Sequence, residues 1–164
     1  MRIFALLIFL AAGPAFAQGF PSKPVRIVVP LPPGGSTDIA ARLVAPKLAE
    51  LWKQSVVVEN KPGAAANIGA DFVAKSPPDG HTQLLATTAF AASAAMFDKL
   101  TYDPQRDLAP VVFVAAIPNL LMVHPSVPAT TPQAFVSYAR ANPGKLNFAS
   151  PGASTGQRLA FELL

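Results

Sequence analysis

The sequence has no cysteine, few charged residues and only two histidines. Without cysteine, the protein has no disulfide and no thiol for lipid attachment at a processed N-terminus. Its 13 lysines and arginines are scattered along the chain, which argues against a nucleic-acid-binding face. The two histidines, His81 and His124, have no carboxylate partners at metal-ligand spacing. We therefore expect neither a metal site nor a cofactor.

A short apolar run opens the chain. Met1 and Arg2 give a positive start, the ten residues 3–12 are apolar, and Ala15-Phe16-Ala17 has the small-x-small pattern of a cleavage site. Ten apolar residues are too few to span a bilayer, which takes about 18–20. We predict a secretory signal peptide at residues 1–17 that is cleaved after Ala17.

The first half of the mature chain alternates between strand and helix patterns. Short β-branched apolar runs end in turns rich in proline and glycine, and each turn leads into a helix-like spacing of apolar residues. This repetition predicts an α/β fold with a parallel sheet and right-handed crossovers. The predicted strands are 25–29, 56–59 and 82–88, and the predicted helices are 38–51, 67–75 and 89–100.

The second half carries weaker signals. Apolar runs predict strands at 108–115, 120–124 and 145–150. A helix is predicted at 132–141, capped by Thr130 or Thr131, with Pro132 at its first position. A last helix starts at Gly156 and runs to Leu164 on an unfinished apolar face, so we interpret the chain as truncated.

The turn after the first strand is the best candidate for a binding site. Residues 25–38 read V-R-I-V-V-P-L-P-P-G-G-S-T-D, a strand, a glycine-bearing turn and a helix start with Ser36 or Thr37 as its cap. Unpaired N–H groups and the helix dipole favour an anion there. The alternative is a plain capped turn, and the residues alone do not choose between the two. The candidate residues are Pro33, Gly34, Gly35, Ser36, Thr37 and Asp38.

Two further turns carry hydroxyl groups. Thr87 and Thr88 end the third predicted strand, beside the same crevice of a doubly wound sheet, although threonine also favours strand ends for other reasons. Residues 152–156 read G-A-S-T-G, which fits the G-x-S-x-G turn of α/β serine hydrolases with Ser154 as nucleophile. No histidine follows Ser154, and both histidines precede it, so the hydrolase is the minor alternative.

Several segments in a fixed order resemble the Bug family, the substrate-binding proteins of tripartite tricarboxylate transporters. They cover essentially the whole mature chain, which makes the resemblance specific. The segments are P-S-K-P-V-R-I-V-V-P-L-P-P-G-G-S-T-D-I-A-A-R (21–42), V-V-V-E-N-K-P-G-A-A-A-N-I-G-A (56–70), S-P-P-D-G-H-T (76–82), V-H-P-S-V-P (123–128), A-N-P-G-K-L-N-F-A-S (141–150) and G-A-S-T-G-Q-R-L-A-F-E-L (152–163).

The resemblance implies a type II periplasmic-binding-protein fold, in which two doubly wound lobes close over a ligand like a Venus flytrap. Residues 18–100 would form the first part of lobe one, and residues 101–164 the start of lobe two. Family members are about twice as long, so the second lobe would be incomplete in this chain.

The resemblance also implies a function. It predicts a periplasmic, non-enzymatic solute-binding protein that captures a small carboxylate for a tripartite tricarboxylate transporter or for sensing. The expected partners are the ligand and the transporter's membrane components, with no nucleic acid, and the receptor should be a monomer. A non-functional truncated product is an alternative. The family's ligand contacts would fall on the turn at 33–38 and on Thr87 and Thr88, while Ser150, Gly152, Ser154 and Thr155 of lobe two would close over the other end of the ligand.

The first prediction concerns export. Expressed from its own start in a Gram-negative host, the protein should accumulate in the periplasm with Gln18 as its first residue, because residues 1–17 have the features of a cleavable signal. N-terminal sequencing of the periplasmic fraction measures this. An intact Met1 on a membrane-bound product would contradict it.

Overall fold

A computed structural model of the chain describes residues 19–152 and 155–164. The predicted signal peptide at 1–17 and the candidate nucleophile Ser154 lie outside the described residues. The described part contains a three-stranded parallel sheet in the order β2-β1-β3. Its strands are β1 (Val25–Val29), β2 (Val56–Asn60) and β3 (Thr82–Leu84).

Each strand leads into a helix, as the sequence predicts. The helices of the described residues are α1 (Ser36–Trp52), α2 (Asn67–Ala74), α3 (Thr88–Met96), α4 (Pro132–Ala141) and α5 (Gly156–Glu162). A 3-10 turn at Ala64–Ala66 precedes α2. Helix α4 begins as expected, because Pro132 is its first residue and the N–H of Ala134 donates to Thr131 Oγ1 over 3.1 Å. Thr131, and not Thr130, is thus the cap.

The strand order determines where the helices lie. From the central strand β1, the chain crosses through α1 to β2 on one side, and then through α2 to β3 on the other. Right-handed crossovers in opposite directions place α1 and α2 on opposite faces of the sheet. The predicted α/β class and doubly wound arrangement are therefore confirmed. The connections diverge between β1 and β3, so a crevice opens at the carboxyl ends of these two strands.

The core lies on both faces of β1. Ile27 and Val29 pack with Ala41 and Ala45 of α1. Val28 is fully buried and points to the opposite face, because side chains alternate along a strand. Burying a side chain of this size contributes about 1.5–3 kcal/mol, so this strand is a rigid base for the turn that follows it.

The second half departs from the sequence predictions. No strand forms at 108–115, 120–124 or 145–150 among the described residues, and β3 ends at Leu84 instead of residue 88. A strand exists only where its N–H and C=O groups find a neighbouring strand, and the described part of the chain offers these segments none. Their apolar side chains stay exposed, Val111 by 85% and Met122 by 84%. The strand predictions there are wrong, because an apolar sequence pattern does not indicate whether an adjacent strand is present to pair with.

The close contact between α2 and β1 gives a stability prediction. A Cβ added at Gly69 would lie 2.8 Å from Pro30 Cβ and 3.0 Å from the carbonyl oxygen of Lys61. Gly69→Ala should therefore destabilise the protein, because overpacking costs about 1–3 kcal/mol while alanine's helix propensity returns about 1 kcal/mol at most.

Gly35→Ala is the matched control for Gly69→Ala. Its Cβ would meet nothing closer than 3.8 Å, and Gly35 has a φ of −76° that alanine also adopts. Urea unfolding of both variants compares the two free energies of unfolding. Equal stability of Gly69→Ala and the wild type would contradict the tight packing of α2 on β1.

Candidate functional site

The turn between β1 and α1 has the conformation that an anion site requires. Gly34 has a φ of +85°, a left-handed conformation that favours glycine, whereas Gly35 is extended. Gly35 is the N-cap of α1, and no side chain caps the helix. The predicted capping by Ser36 or Thr37 is therefore wrong. Helix α1 instead begins at Ser36, one residue before Thr37 and two before Asp38, and no side chain caps its first N–H groups.

The uncapped N–H groups are available to a ligand. Within the described residues, the N–H groups of Gly35, Ser36 and Thr37 meet no protein acceptor. Gly35 and Ser36 are exposed, and Thr37 is half-buried. These donors stand at the positive end of the helix dipole, an arrangement that binds carboxylates and phosphates.

Asp38 determines the shape of this turn. Its side chain is 3% exposed, and Oδ2 accepts from the N–H of Gly34 over 2.9 Å and from Arg42 Nε over 3.0 Å. Its other oxygen, Oδ1, accepts from Asn60 Nδ2 over 3.0 Å. Both oxygens are thus used within the protein. Asp38 therefore holds Gly34 in place. The sequence had instead suggested that Asp38 contacts the ligand directly.

Asn60 is a site residue that sequence reasoning missed. It ends β2, and besides Asp38 its Nδ2 donates to the carbonyl oxygen of Leu31 over 3.1 Å. Its Oδ1 accepts from Arg42 Nη2 over 3.0 Å. Asn60 therefore joins the end of β2 to the turn after β1. In the sequence it reads only as the start of an N-K-P-G turn. Its position at the end of a strand adjacent to β1 is the signal that could have singled it out.

The charge of Asp38 is strongly favoured. The hydrogen bond from Arg42, followed by that from the Gly34 N–H, lowers the pKa of Asp38 to about 2 despite the opposing effect of burial. The same pairing raises the pKa of Arg42. Asp38 is therefore ionised at neutral pH, and its carboxylate accepts the hydrogen bond from the Gly34 N–H there.

The predicted threonines, Thr87 and Thr88, follow β3, the strand that pairs with β1. Thr87 is the N-cap of α3, but its hydroxyl makes no capping bond, and Oγ1 is buried without a hydrogen-bond partner in the described part of the chain. Thr88 is exposed at the first position of α3. Since β3 is paired in parallel with β1, these two residues and the Gly34–Thr37 turn lie at the same edge of the sheet.

The turn in the second half meets the first half at Thr88. A Cβ added at Gly156 would lie 3.0 Å from Thr88 Oγ1, so the start of α5 contacts the start of α3. Thr155 is buried, and its Oγ1 donates to the Gly152 carbonyl oxygen over 2.8 Å and accepts from the Arg158 N–H over 3.4 Å. Ser150 Oγ also reaches the Gly152 carbonyl, at 3.5 Å. Among the described residues, no hydrogen bond joins this turn to residues 33–38.

The turn after β2 is strained in a way that the sequence does not signal. Gly63 is followed by Ala64, Ala65 and Ala66, with φ values of 44°, 56° and 77°. Left-handed conformations cost a residue with a Cβ about 1–2 kcal/mol each. Such strain persists where the surroundings enforce it and often accompanies binding sites. This turn lies at the carboxyl edge of the sheet and places Asn67 at the start of α2.

His81 and Trp52 pack within the fold. His81 Nε2 accepts from the Ser22 N–H over 3.2 Å, and the ring packs on Phe20 with centroids 5.0 Å apart. Phe20 also packs edge-to-face on Trp52.

Residues 19–152 and 155–164 hold no cluster of three or more potential metal ligands. Within the same residues, every helix is too short or too polar to cross a membrane.

Comparison with known proteins gives one family. Residues 40–164 match the family model described as the tripartite tricarboxylate transporter family receptor. A curated relative, a UPF0065 protein of Pseudomonas sp. strain P51, is 42% identical over 147 residues, which are 90% of this chain and 44% of the relative. This chain spans about half the length of the curated relatives it matches.

Solved structures agree with the sequence match. Rpa4515 of R. palustris, solved with adipate, is 39% identical and superimposes with a TM-score of 0.81 over 88% of this chain and 48% of its own. MatC from Rhodopseudomonas palustris, solved with bound malate, is 35% identical with a TM-score of 0.66 over 74% of this chain and 42% of its own.

The charge of Asp38 leads to a pH prediction. A carboxyl whose pKa is about 2 in the folded protein, below its ordinary value of 3.8, stabilises the fold above pH 3.8, and this contribution is lost as the pH falls from there towards 2. Asp38→Asn should therefore be less stable than the wild type at neutral pH, with the difference shrinking between pH about 4 and about 2.

Urea unfolding across this pH range measures the effect. Asp98→Asn changes an exposed aspartate that forms no ion pair in the described part of the chain, and serves as the control. A gap between Asp38→Asn and the wild type that stays constant down to pH about 2 would show that the Asp38 charge does not stabilise the turn.

Proposed function

Because this chain belongs to the tripartite tricarboxylate transporter receptor family, we propose that it captures a small carboxylate in the crevice beside β1 and β3. The family assignment and the structural likeness also confirm the fold class expected from the resemblance, that of the periplasmic solute receptors. This chain spans about half the length of its relatives, so the activity of a whole receptor is part of the proposal.

One observation carries the proposal. The turn at residues 34–37 offers three backbone donors without a protein acceptor at the start of a 17-residue helix, and Asp38 holds that turn rigid. No arginine or lysine lies in the turn. Backbone N–H groups and the helix dipole would therefore bind the anion, each charge-assisted hydrogen bond contributing about 1.5–3 kcal/mol.

The ligand class that we propose is a dicarboxylate. Rpa4515 was solved with adipate and MatC with malate, and both are dicarboxylates. One carboxylate would lie against Gly35, Ser36 and Thr37, with Thr87 and Thr88 on the opposite side of the crevice. The turn with Ser150, Gly152, Ser154 and Thr155 would close over the far end of the ligand. Pro33, Gly34 and Asp38 shape the turn.

The biological setting that we propose follows the family. The receptor would work in the periplasm as a monomer and hand its ligand to the membrane components of a tripartite tricarboxylate transporter, or report it to a sensor. Residues 18–100 would be the first part of lobe one and residues 101–164 the start of lobe two. Capture without chemical conversion fits a receptor family, and nothing in the described residues favours the hydrolase alternative.

The backbone mechanism predicts the effect of filling Gly35. Valine fits the extended conformation of Gly35, and its Cβ would meet no atom closer than 3.8 Å, so Gly35→Val should fold. Its branched side chain would keep a carboxylate away from the N–H groups. Losing one charge-assisted hydrogen bond or more should lower the affinity for malate or adipate by about tenfold or more.

Arg26→Ala is the control for this experiment. Arg26 lies on β1, pairs with Glu59 Oε2 at 3.2 Å and stacks over Phe72, away from the turn. Its removal should change the affinity by less than about twofold. Calorimetric titration with malate and adipate, after circular dichroism has verified folding, measures both variants. If Gly35→Val binds normally and Arg26→Ala does not bind, a side-chain charge and not the backbone N–H groups binds the anion.

A further inference from the structure

The junction of α2 and α3 contains two buried polar atoms without a partner. Asn67 Nδ2 and Thr87 Oγ1 meet no hydrogen-bond partner within the described residues. Asn67 is 9% exposed. An unpaired buried donor costs about 1–3 kcal/mol, so native proteins rarely keep one unless something binds it. These two atoms therefore indicate a binding position.

The amide of Asn67 is held in one orientation. Its Oδ1 accepts from the Tyr102 hydroxyl over 2.8 Å, and Tyr102 is itself buried and stacked on Phe90. One helical turn further along α2, Asp71 accepts from the Thr101 hydroxyl. Residues 101–102 are thus anchored along α2. Tyr102 bonds only to the oxygen of the Asn67 amide, so the Nδ2 group can donate to another acceptor.

The position of these atoms connects them to the crevice. Asn67 is the first residue of α2, and Gly69, two residues later, packs on Pro30 at the carboxyl end of β1. Thr87 is the N-cap of α3, immediately beyond the end of β3. Both groups therefore lie at the carboxyl edge of the sheet, at helix starts whose dipoles favour negative charge. The strained Ala64–Ala66 turn keeps Asn67 in this place.

The family resemblance already implies a ligand contact at Thr87. We propose that Asn67 is a further ligand-binding residue, whose Nδ2 donates to the same carboxylate oxygen as the Thr87 hydroxyl, so that the two form an oxygen subsite. Tyr102 is the positioning residue that orients Asn67. This inference rests on the proposed function and adds to it: the backbone turn at 34–37 binds the carboxylate's charge, and the subsite recognises an oxygen by side-chain donors.

Two variants remove the donors while keeping the shape. Thr87→Val replaces the hydroxyl with a methyl group, and Asn67→Asp keeps the acceptor for Tyr102 but replaces the donor with a carboxylate oxygen. Each should lower the affinity for malate or adipate by about tenfold or more, because a buried charge-assisted bond is lost. Thr87→Ser keeps the hydroxyl and should therefore lose less affinity than Thr87→Val. Thr82→Val, at the opposite edge of the sheet, is the matched control.

Two more readouts separate recognition from mere folding. Without ligand, Thr87→Val should be at least as stable as the wild type, because it removes an unpaired buried hydroxyl. Tyr102→Phe should weaken binding in the wild type but have no further effect in Asn67→Asp, since the two residues act through one bond. Thermal unfolding and calorimetry measure these effects.

The possible failures are distinguishable. If the wild-type chain binds neither malate nor adipate, the proposed function fails and the subsite falls with it. If Gly35→Val weakens binding while Thr87→Val and Asn67→Asp bind as the wild type does, the function stands and the subsite is wrong. A crystal structure of the chain with adipate decides directly, even where a variant fails to fold. One ligand oxygen bonded to both groups is expected, and a water retained there with and without ligand would overturn the proposal.

Discussion

The hydrogen bonds of Asp38 are the interaction on which the candidate site depends. One carboxylate joins three parts of the chain: the turn after β1 through Gly34, helix α1 through Arg42, and the end of β2 through Asn60. Because Asp38 is nearly buried and fully paired, its removal would leave donors of all three parts unsatisfied. Ion pairs between exposed side chains, such as Lys47 with Glu50, contribute little by comparison.

The strand order of the sheet places this network beside other candidate site residues. With β1 in the centre and the chain leaving it in opposite directions, the turn at 34–37 and Thr87 border one crevice although they are about fifty residues apart in sequence. Asn67 follows β2 at the start of α2, the helix that packs on Pro30 at the end of β1. Under the proposed function, the ends of these three strands supply N–H and O–H donors to one ligand. That complementarity to an oxygen anion is the physical basis of the proposed function.

The donors differ in how the protein holds them. The N–H groups of the β1 turn are exposed and are kept in place by Asp38, whereas the side chains of Asn67 and Thr87 are enclosed and lack partners. An exposed donor can bind water at no cost before the ligand arrives. An enclosed donor cannot, so its free energy improves most when a ligand oxygen binds. The first set therefore suits general attraction of a carboxylate, and the second set suits selection of its position.

Several elements of the fold could be predicted from local sequence alone. The β-branched run of β1, the helix of α1, the Pro132 start of α4 and the glycine-bearing turn at 34–35 rest on preferences of neighbouring residues, and the family motifs follow the same segments. Tertiary structure decided what depends on distant partners. It left 108–115, 120–124 and 145–150 without strands, made Asp38 a buried anchor, joined Asn60 to Asp38, and buried the amide of Asn67. A pattern of residue types specifies backbone preference and burial tendency, but hydrogen-bond partners across the fold are specified only once the strands have been ordered.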